Sequence, residues 1–285
     1  MGHYPEYSES KGEEMIIDQD IQNKLREQYN PEGSDLRTLQ LHLLDILVEF
    51  DRICRKYGID YWLDGGTLIG AARHDGFLPW DDDIDVCILR KDKKRLIRAM
   101  EKELQAPFKY DKQPFFWMKI SNDNVSVTRE VPVKSGKIVV KKENIWLDVF
   151  LIIHGTPSFS KKVSGFYGRC FRRRYRIIND GKLNHFIGTC LYPVALSIIS
   201  VARMFGKLLH PDSVIYDYGT GYYAERRKSD IFPVRDIEFE GHKFLAPHDT
   251  DKYLERIHGD WKTLPDNIFD HYIKRIDFNE KKDTI

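Results

Sequence analysis

From residue 34 onward the apolar residues recur in steps of three and four: Leu36, Leu39, Leu43, Ile46, Leu47, Phe50, Ile53 and Tyr57. That spacing is one stripe of a helix, with Ser34 as its cap and Gly58 as its stop. The period then shortens. Residues 59–63 predict a strand, Asp64-Gly65-Gly66 a turn, and 67–73 a short helix directly behind it. Residues 74–80 predict a loop, and 84–89 a strand by their β-branched content. An amphipathic helix follows at 91–104, and strands at 115–121, 126–130, 137–141 and 144–152. Residues 157–228 read as mainly helical, 237–244 as a hairpin turning at Gly241, and 249–258 as a helix with Asp249 near its cap. Residues 1–33 are polar and read as a loose segment. Strands and helices mix without regular alternation, and no repeat or long low-complexity linker interrupts them. The expectation is one α+β domain over 34–285, with a mainly helical insertion at about 156–230.

Composition narrows the function class. With 285 residues and 41% hydrophobic content the chain can build a core. Lys+Arg number 45 against Asp+Glu 44, a balance that argues against a general nucleic-acid binder. Cys54, Cys87, Cys170 and Cys190 form no C-x-x-C pair, so neither a zinc site nor a disulfide framework is expected. The first residues lack a basic start and an apolar run, so no signal peptide is visible and a cytoplasmic location is expected. Residues 186–206 are mostly apolar, interrupted by Pro193 and Arg203, and a basic stretch at 169–176 lies just upstream. A buried helical hairpin fits this pattern. So does a helix in peripheral contact with the inner face of a membrane.

Candidate chemistry concentrates at 79–86, PWDDDIDV. Carboxylates this close disfavour one another unless a cation sits among them. In a strand alternate residues share a face, so Asp83 and Asp85 point together, with Asp81 at the same parity but still in the loop. Two carboxylates at a strand's start suit Mg2+, with Mn2+ as the alternative. An EF-hand is excluded, because Val86 stands where the loop needs glycine. A solvated charge run and the D-x-D site of a sugar-nucleotide glycosyltransferase compete for the same residues. Gly65 and Gly70 have P-loop spacing, but Ala71-Ala72 replace the Lys-Ser/Thr pair. What remains is Gly65-Gly66-Thr67 opening a helix, able to hold phosphate oxygens, with Arg73 behind it as a clamp or as a structural arginine. Asp148 lies in the apolar strand 145–150, where an unpartnered acid is costly, so it is either a third metal ligand and base or a structural hydrogen-bond acceptor.

The stretch YWLDGGTLIGAARHDGFLPWDDDIDVCILRKD closely resembles the signature of the LicD family, which takes in bacterial phosphocholine transferases and fukutin-related proteins. The helix LQLHLLDILVEFDRICRKYGI, the strand IWLDVFLI and the segment FPVRDIEFEGHKFLAPHDTDKYLERIHGDWKTLP resemble further parts of it. One departure is Phe150-Leu151-Ile152-Ile153-His154-Gly155, where members often continue into a proline-containing turn. The resemblance implies a nucleotidyltransferase (polymerase-β-like) core with a mixed sheet. It implies transfer of an alcohol phosphate, phosphocholine from CDP-choline first, to a hydroxyl of a bacterial surface glycan or lipid-linked precursor, with release of CMP. Asp83, Asp85 and Asp148 would be catalytic and, with Asp81, metal-binding. Gly65, Gly66 and Thr67 would cradle the donor, and Arg73 would neutralise it. Lys119 lies where a phosphate-contacting lysine would be useful, and a plain surface lysine fits as well. Another CDP-alcohol such as ribitol or glycerol phosphate, nucleotidyl transfer, or a non-catalytic binding relative are the alternatives. A choline group would need aromatic faces, for which Tyr61, Trp62, Trp80, Phe115, Phe116, Trp117 and Trp146 are nearby in sequence.

Overall fold

The structure, a computed structural model, describes residues 18–111, 117–132, 138–175, 181–265 and 273–278. The chain runs α1 (Gln19–Tyr29), α2 (Asp35–Lys56), β1 (Tyr61–Leu63), α3 (Gly65–His74), β2 (Asp85–Leu89), α4 (Lys93–Glu103), β3 (Phe108–Tyr110), β4 (Met118–Pro132) and β5 (Ile138–His154). It continues through α5 (Pro157–Arg174), α6 (Gly181–Leu209), β6 (Ser213–Tyr216), β7 (Arg226–Arg227), α7 (Lys228–Ile231), β8 (Arg235–Phe239), β9 (His242–Ala246), α8 (Thr250–His258) and β10 (Ile273–Phe278).

α2 is the helix its stripe predicts. The Ser34 hydroxyl accepts the Arg37 N–H, and Leu39, Leu43, Ile46, Leu47, Phe50 and Ile53 are buried. They pack on the mixed sheet β1-β2-β5-β4-β10, where β2 runs parallel to β5 and the other pairs are antiparallel. β3 pairs with β4, and β6 pairs with the C-terminal end of β5 and with β7. β8 and β9 form a separate hairpin whose two-residue turn, Glu240-Gly241, has positive φ at both positions.

Three expectations change. Residues 19–29 are helical rather than loose: Asp18 caps α1, and Gln22 and Arg26 donate to the His74 carbonyl oxygen. The four strands predicted between 115 and 152 are two long ones, because a bulge between Asn122 and Ser126 lets β4 continue through its polar break. Part of that prediction, residues 115–116 and 137, lies outside the described residues. The helical reading of 157–228 ends at Leu209, because the apolar run Val214-Ile215-Tyr216 joins the main sheet as β6.

Candidate active site

The acidic run lies where α3, β2 and β5 meet. β2 begins at Asp85 rather than at 84, so Asp81, Asp82 and Asp83 are loop residues and strand parity does not govern them. Asp82 therefore turns in as well. One carboxylate oxygen from each of Asp81, Asp82 and Asp83 lies within 4.8 Å of the others, with Asp81 and Asp82 buried and Asp83 exposed. Asp85 stands beside Asp148 in the parallel register of β2 and β5. The Asp148 N–H donates to the Ile84 carbonyl oxygen at 2.9 Å. Burial first, and then the carboxylates of Asp83, Asp148, Asp64 and Asp81, push the Asp85 carboxyl well above the usual range. All four neighbours act in one direction, which is the signature of a site short of positive charge.

The glycine turn is shaped to these acids. Gly65 has φ +54°, and a Cβ there would lie 3.2 Å from Asp85 Oδ2. A Cβ on Gly66 would run into Asp81 Oδ2. Thr67 is buried, and its hydroxyl accepts the Asp85 N–H at 2.9 Å, so this oxygen holds the start of β2. Arg73, read from sequence as a clamp or as a structural arginine, makes structural contacts. Six residues further along α3, its buried guanidinium donates to the carbonyl oxygens of Trp261 (2.7 Å) and Thr263 (3.1 Å) and to His74 Nε2. It anchors the C-terminal segment rather than the acidic cluster.

Asp148 accepts indole N–H groups on both oxygens, from Trp117 at 2.7 Å and Trp146 at 3.0 Å. Lys119, its partner across β4 and β5, has Nζ 3.8 Å from Asp148 and 3.5 Å from the Trp146 ring centre. Burial raises the Asp148 carboxyl above its usual range, against the pull of Lys119 and the two indoles. Of the aromatic candidates, Trp117 and Trp146 are thus at the site. Tyr61 and Trp62 are core, Trp80 packs on Tyr29 and His74, and Phe115 and Phe116 lie outside the described residues. Phe150, two residues along the face of Asp148, meets Trp117, Tyr216 and Tyr222 at ring distances of 5.6, 4.9 and 6.3 Å.

Two supports escaped the sequence reading. Gln40 is fully buried and donates to the carbonyl oxygens of Asp81 (2.9 Å) and Leu78 (3.3 Å), fixing the loop that carries the acids. A polar residue inside the apolar stripe of α2 was its signal. Asp64, read as turn chemistry, is fully buried. It pairs with Arg226 at 3.0 Å and accepts from Tyr216 (2.5 Å), Tyr253 (2.8 Å) and Cys87 (2.9 Å). Burial alone would raise its carboxyl; Arg226 and these donors outweigh that and hold it below the usual range. Nothing in the sequence around Arg226 distinguishes it from its charged neighbours. A cleft of about 530 Å³, lined by Ala72, Arg235, Lys243, Asp249 and Trp261 among others, lies behind α3 and includes none of the acidic cluster.

Comparison with known proteins agrees with the resemblance. The LicD/FKTN/FKRP nucleotidyltransferase-domain family matches residues 58–163, which include the glycine turn, the acids and Asp148. The lipopolysaccharide cholinephosphotransferase LicD of Haemophilus influenzae is 27% identical over 249 residues, 81% of this chain and 92% of that protein. An uncharacterised protein of Rickettsia prowazekii is 39% identical over 56 residues, 20% of this chain and 21% of that protein. Human ribitol 5-phosphate transferase FKRP is 54% identical over 35 residues, 12% of this chain and 7% of that protein. Residues 58–163, which carry the acidic site, thus match the LicD/FKTN/FKRP nucleotidyltransferase domain, and the chain is similar to LicD through most of both chains.

Proposed function

We propose that the chain transfers an alcohol phosphate, phosphocholine first, from a CDP-activated donor to a hydroxyl of a bacterial surface glycan or lipid-linked precursor. The observation that carries this is the acidic cluster of Asp81, Asp82 and Asp83, followed by Asp85 in register with Asp148, beside a glycine turn where a Cβ would crowd Asp81 and Asp85. The long similarity to a lipopolysaccharide cholinephosphotransferase supports the group and the acceptor class. We read α3, β1, β2 and β5 as a polymerase-β-like core.

The donor set fits a hard divalent ion. One oxygen from each of Asp81, Asp82 and Asp83 lies within 4.8 Å of the others, an all-oxygen set of the kind such an ion prefers. Asp81, Asp83, Asp85 and Asp148 would hold Mg2+ or Mn2+. When bound, it supplies positive charge against the donor's diphosphate. The residues do the rest. In the reaction, the acceptor oxygen bonds to the phosphorus bearing the alcohol, the bond from that phosphorus to CMP breaks, and the hydroxyl proton goes to Asp148. The two indole N–H groups fix the Asp148 carboxylate, and its raised pKa suits a base. The first N–H groups of α3, at Gly65–Thr67, are the donors available to phosphate oxygens. Lys119 balances charge at Asp148. Trp117 and the exposed Tyr222 pack around Phe150 near Asp148, and aromatic rings of this kind suit a quaternary ammonium, which favours choline. The local match to a ribitol 5-phosphate transferase favours ribitol phosphate as the second reading.

The test is product mass. Purified chain, CDP-choline, Mg2+ and lipopolysaccharide acceptor should yield CMP and an acceptor heavier by phosphocholine. Asp83→Asn, at an exposed position, should stay folded and lose transfer by a factor of about a thousand or more, the scale expected when electrostatic stabilisation is removed. A variant with parental activity would contradict the assignment.

A further inference from the structure

α6 is 29 residues long, about 43 Å at 1.5 Å per residue, and its two faces differ. One face, Gly188, Ala195, Ile199, Ala202 and Gly206, is buried and, apart from Ile199, small. The helix therefore lies close to its neighbours: a Cβ on Gly206 would meet the His154 carbonyl oxygen, and one on Gly188 would meet Arg173. The opposite face carries Leu183, Phe186, Val194, Val201, Phe205 and Leu208, all exposed, with Leu183 and Leu208 at 72%. An apolar stripe of this length on a single helix exceeds the scattered exposure of an ordinary surface and marks an interaction surface.

Charge identifies the occupant. Neither α5 nor α6 contains an Asp or Glu, in a chain whose acids and bases are balanced as a whole. Arg172, Arg173 and Arg174 end α5 beside the N-terminal half of α6, and Lys182 and Lys207 stand exposed near the two ends of α6. An apolar stripe on a helix pair that carries cations and no carboxylate is complementary to a bilayer with anionic headgroups. A crossing helix would need to leave the domain. The geometry opposes this, because Arg203 pairs with buried Asp217 at 2.8 Å, and Asp217 also holds Arg90 at 2.6 Å.

We propose that the exposed face of α6, with the basic end of α5, seats the protein in the plane of an anionic bilayer surface without crossing it. Such a seat would keep a soluble donor and a lipid-linked acceptor at one enzyme, though the docking argument does not depend on the transfer reading.

The experiment is flotation of the full-length chain with vesicles of phosphatidylcholine alone or mixed with phosphatidylglycerol, in a buffer without donor or metal. Binding is expected to the mixed vesicles, to weaken with salt, and to be released by alkaline carbonate. Phe186→Glu/Val201→Glu changes two exposed side chains and should weaken binding about tenfold or more while preserving the circular dichroism of the parent. Three results would overturn the proposal: equal or absent binding to both vesicle types; carbonate-resistant retention, which means a span; or a concentration-dependent dimer dispersed by the same substitutions, which means that a second copy covers this face.

Discussion

His74 shows how a single side chain ties stability to pH. Its Nδ1 meets the Gln22 side-chain oxygen at 2.5 Å and its Nε2 accepts from Arg73 at 3.1 Å, a pair that only the neutral ring can satisfy. Burial, then the charges of Arg73 and Arg26, hold its pKa down to about 3. In the unfolded chain the ring protonates near 6.5. Above that value it is neutral in both states and adds no pH dependence. As the pH falls below it, the unfolded state gains a proton that the fold refuses, and stability drops by up to about 1.4 kcal/mol per pH unit. Urea unfolding between neutral pH and pH 4 should show this loss, and His74→Gln should remove its share of the slope. An unchanged slope in the variant would contradict the neutral buried ring. Other residues answer to the same rule that position decides role. Arg73 and Lys119 both looked able to meet phosphate from sequence. The first closes on the carbonyl oxygens of the C-terminal segment, and the second lies at Asp148.

Among elements, what was legible followed period and turn chemistry. α2, α3, the β8–β9 hairpin and α8 stand within a few residues of expectation, because each buries one regular face or turns at glycine. What was hidden depends on long-range partners. α1 is polar on its own and is held through the His74 carbonyl oxygen; β6 is a four-residue strand that only the edge of β5 defines. The acids themselves were legible. The inward turn of Asp82, the Gln40 brace and the Asp64–Arg226 pair were not, since 162 residues separate the last two. That pair joins the start of α3 to β7, so it sets how the glycine turn sits on the sheet. Arg226→Leu would leave the Asp64 carboxylate buried without its cation, at a cost of about 3–5 kcal/mol in denaturant unfolding. Asp64→Leu/Arg226→Leu should cost less than the sum of the single changes. Additive losses would mean that the two groups act independently.

At the scale of the whole molecule, two regions of opposite charge lie along one chain that is nearly neutral. The acids gather at the start of β2 and the middle of β5, and the carboxylate-free helices α5 and α6 follow the C-terminal end of β5. Asp217 links them, bound by Arg90 after β2 and by Arg203 of α6. On the proposed function, the acidic cluster binds a CDP-activated donor through a divalent ion. Titration calorimetry of CDP-choline, CDP-ribitol and CDP-glycerol, each with and without Mg2+, for the parent chain and Asp83→Asn, tests it most directly. CDP-choline should bind tightest, binding should require Mg2+, and Asp83→Asn should abolish it. Binding of equal strength without metal, or in the variant, would contradict that reading.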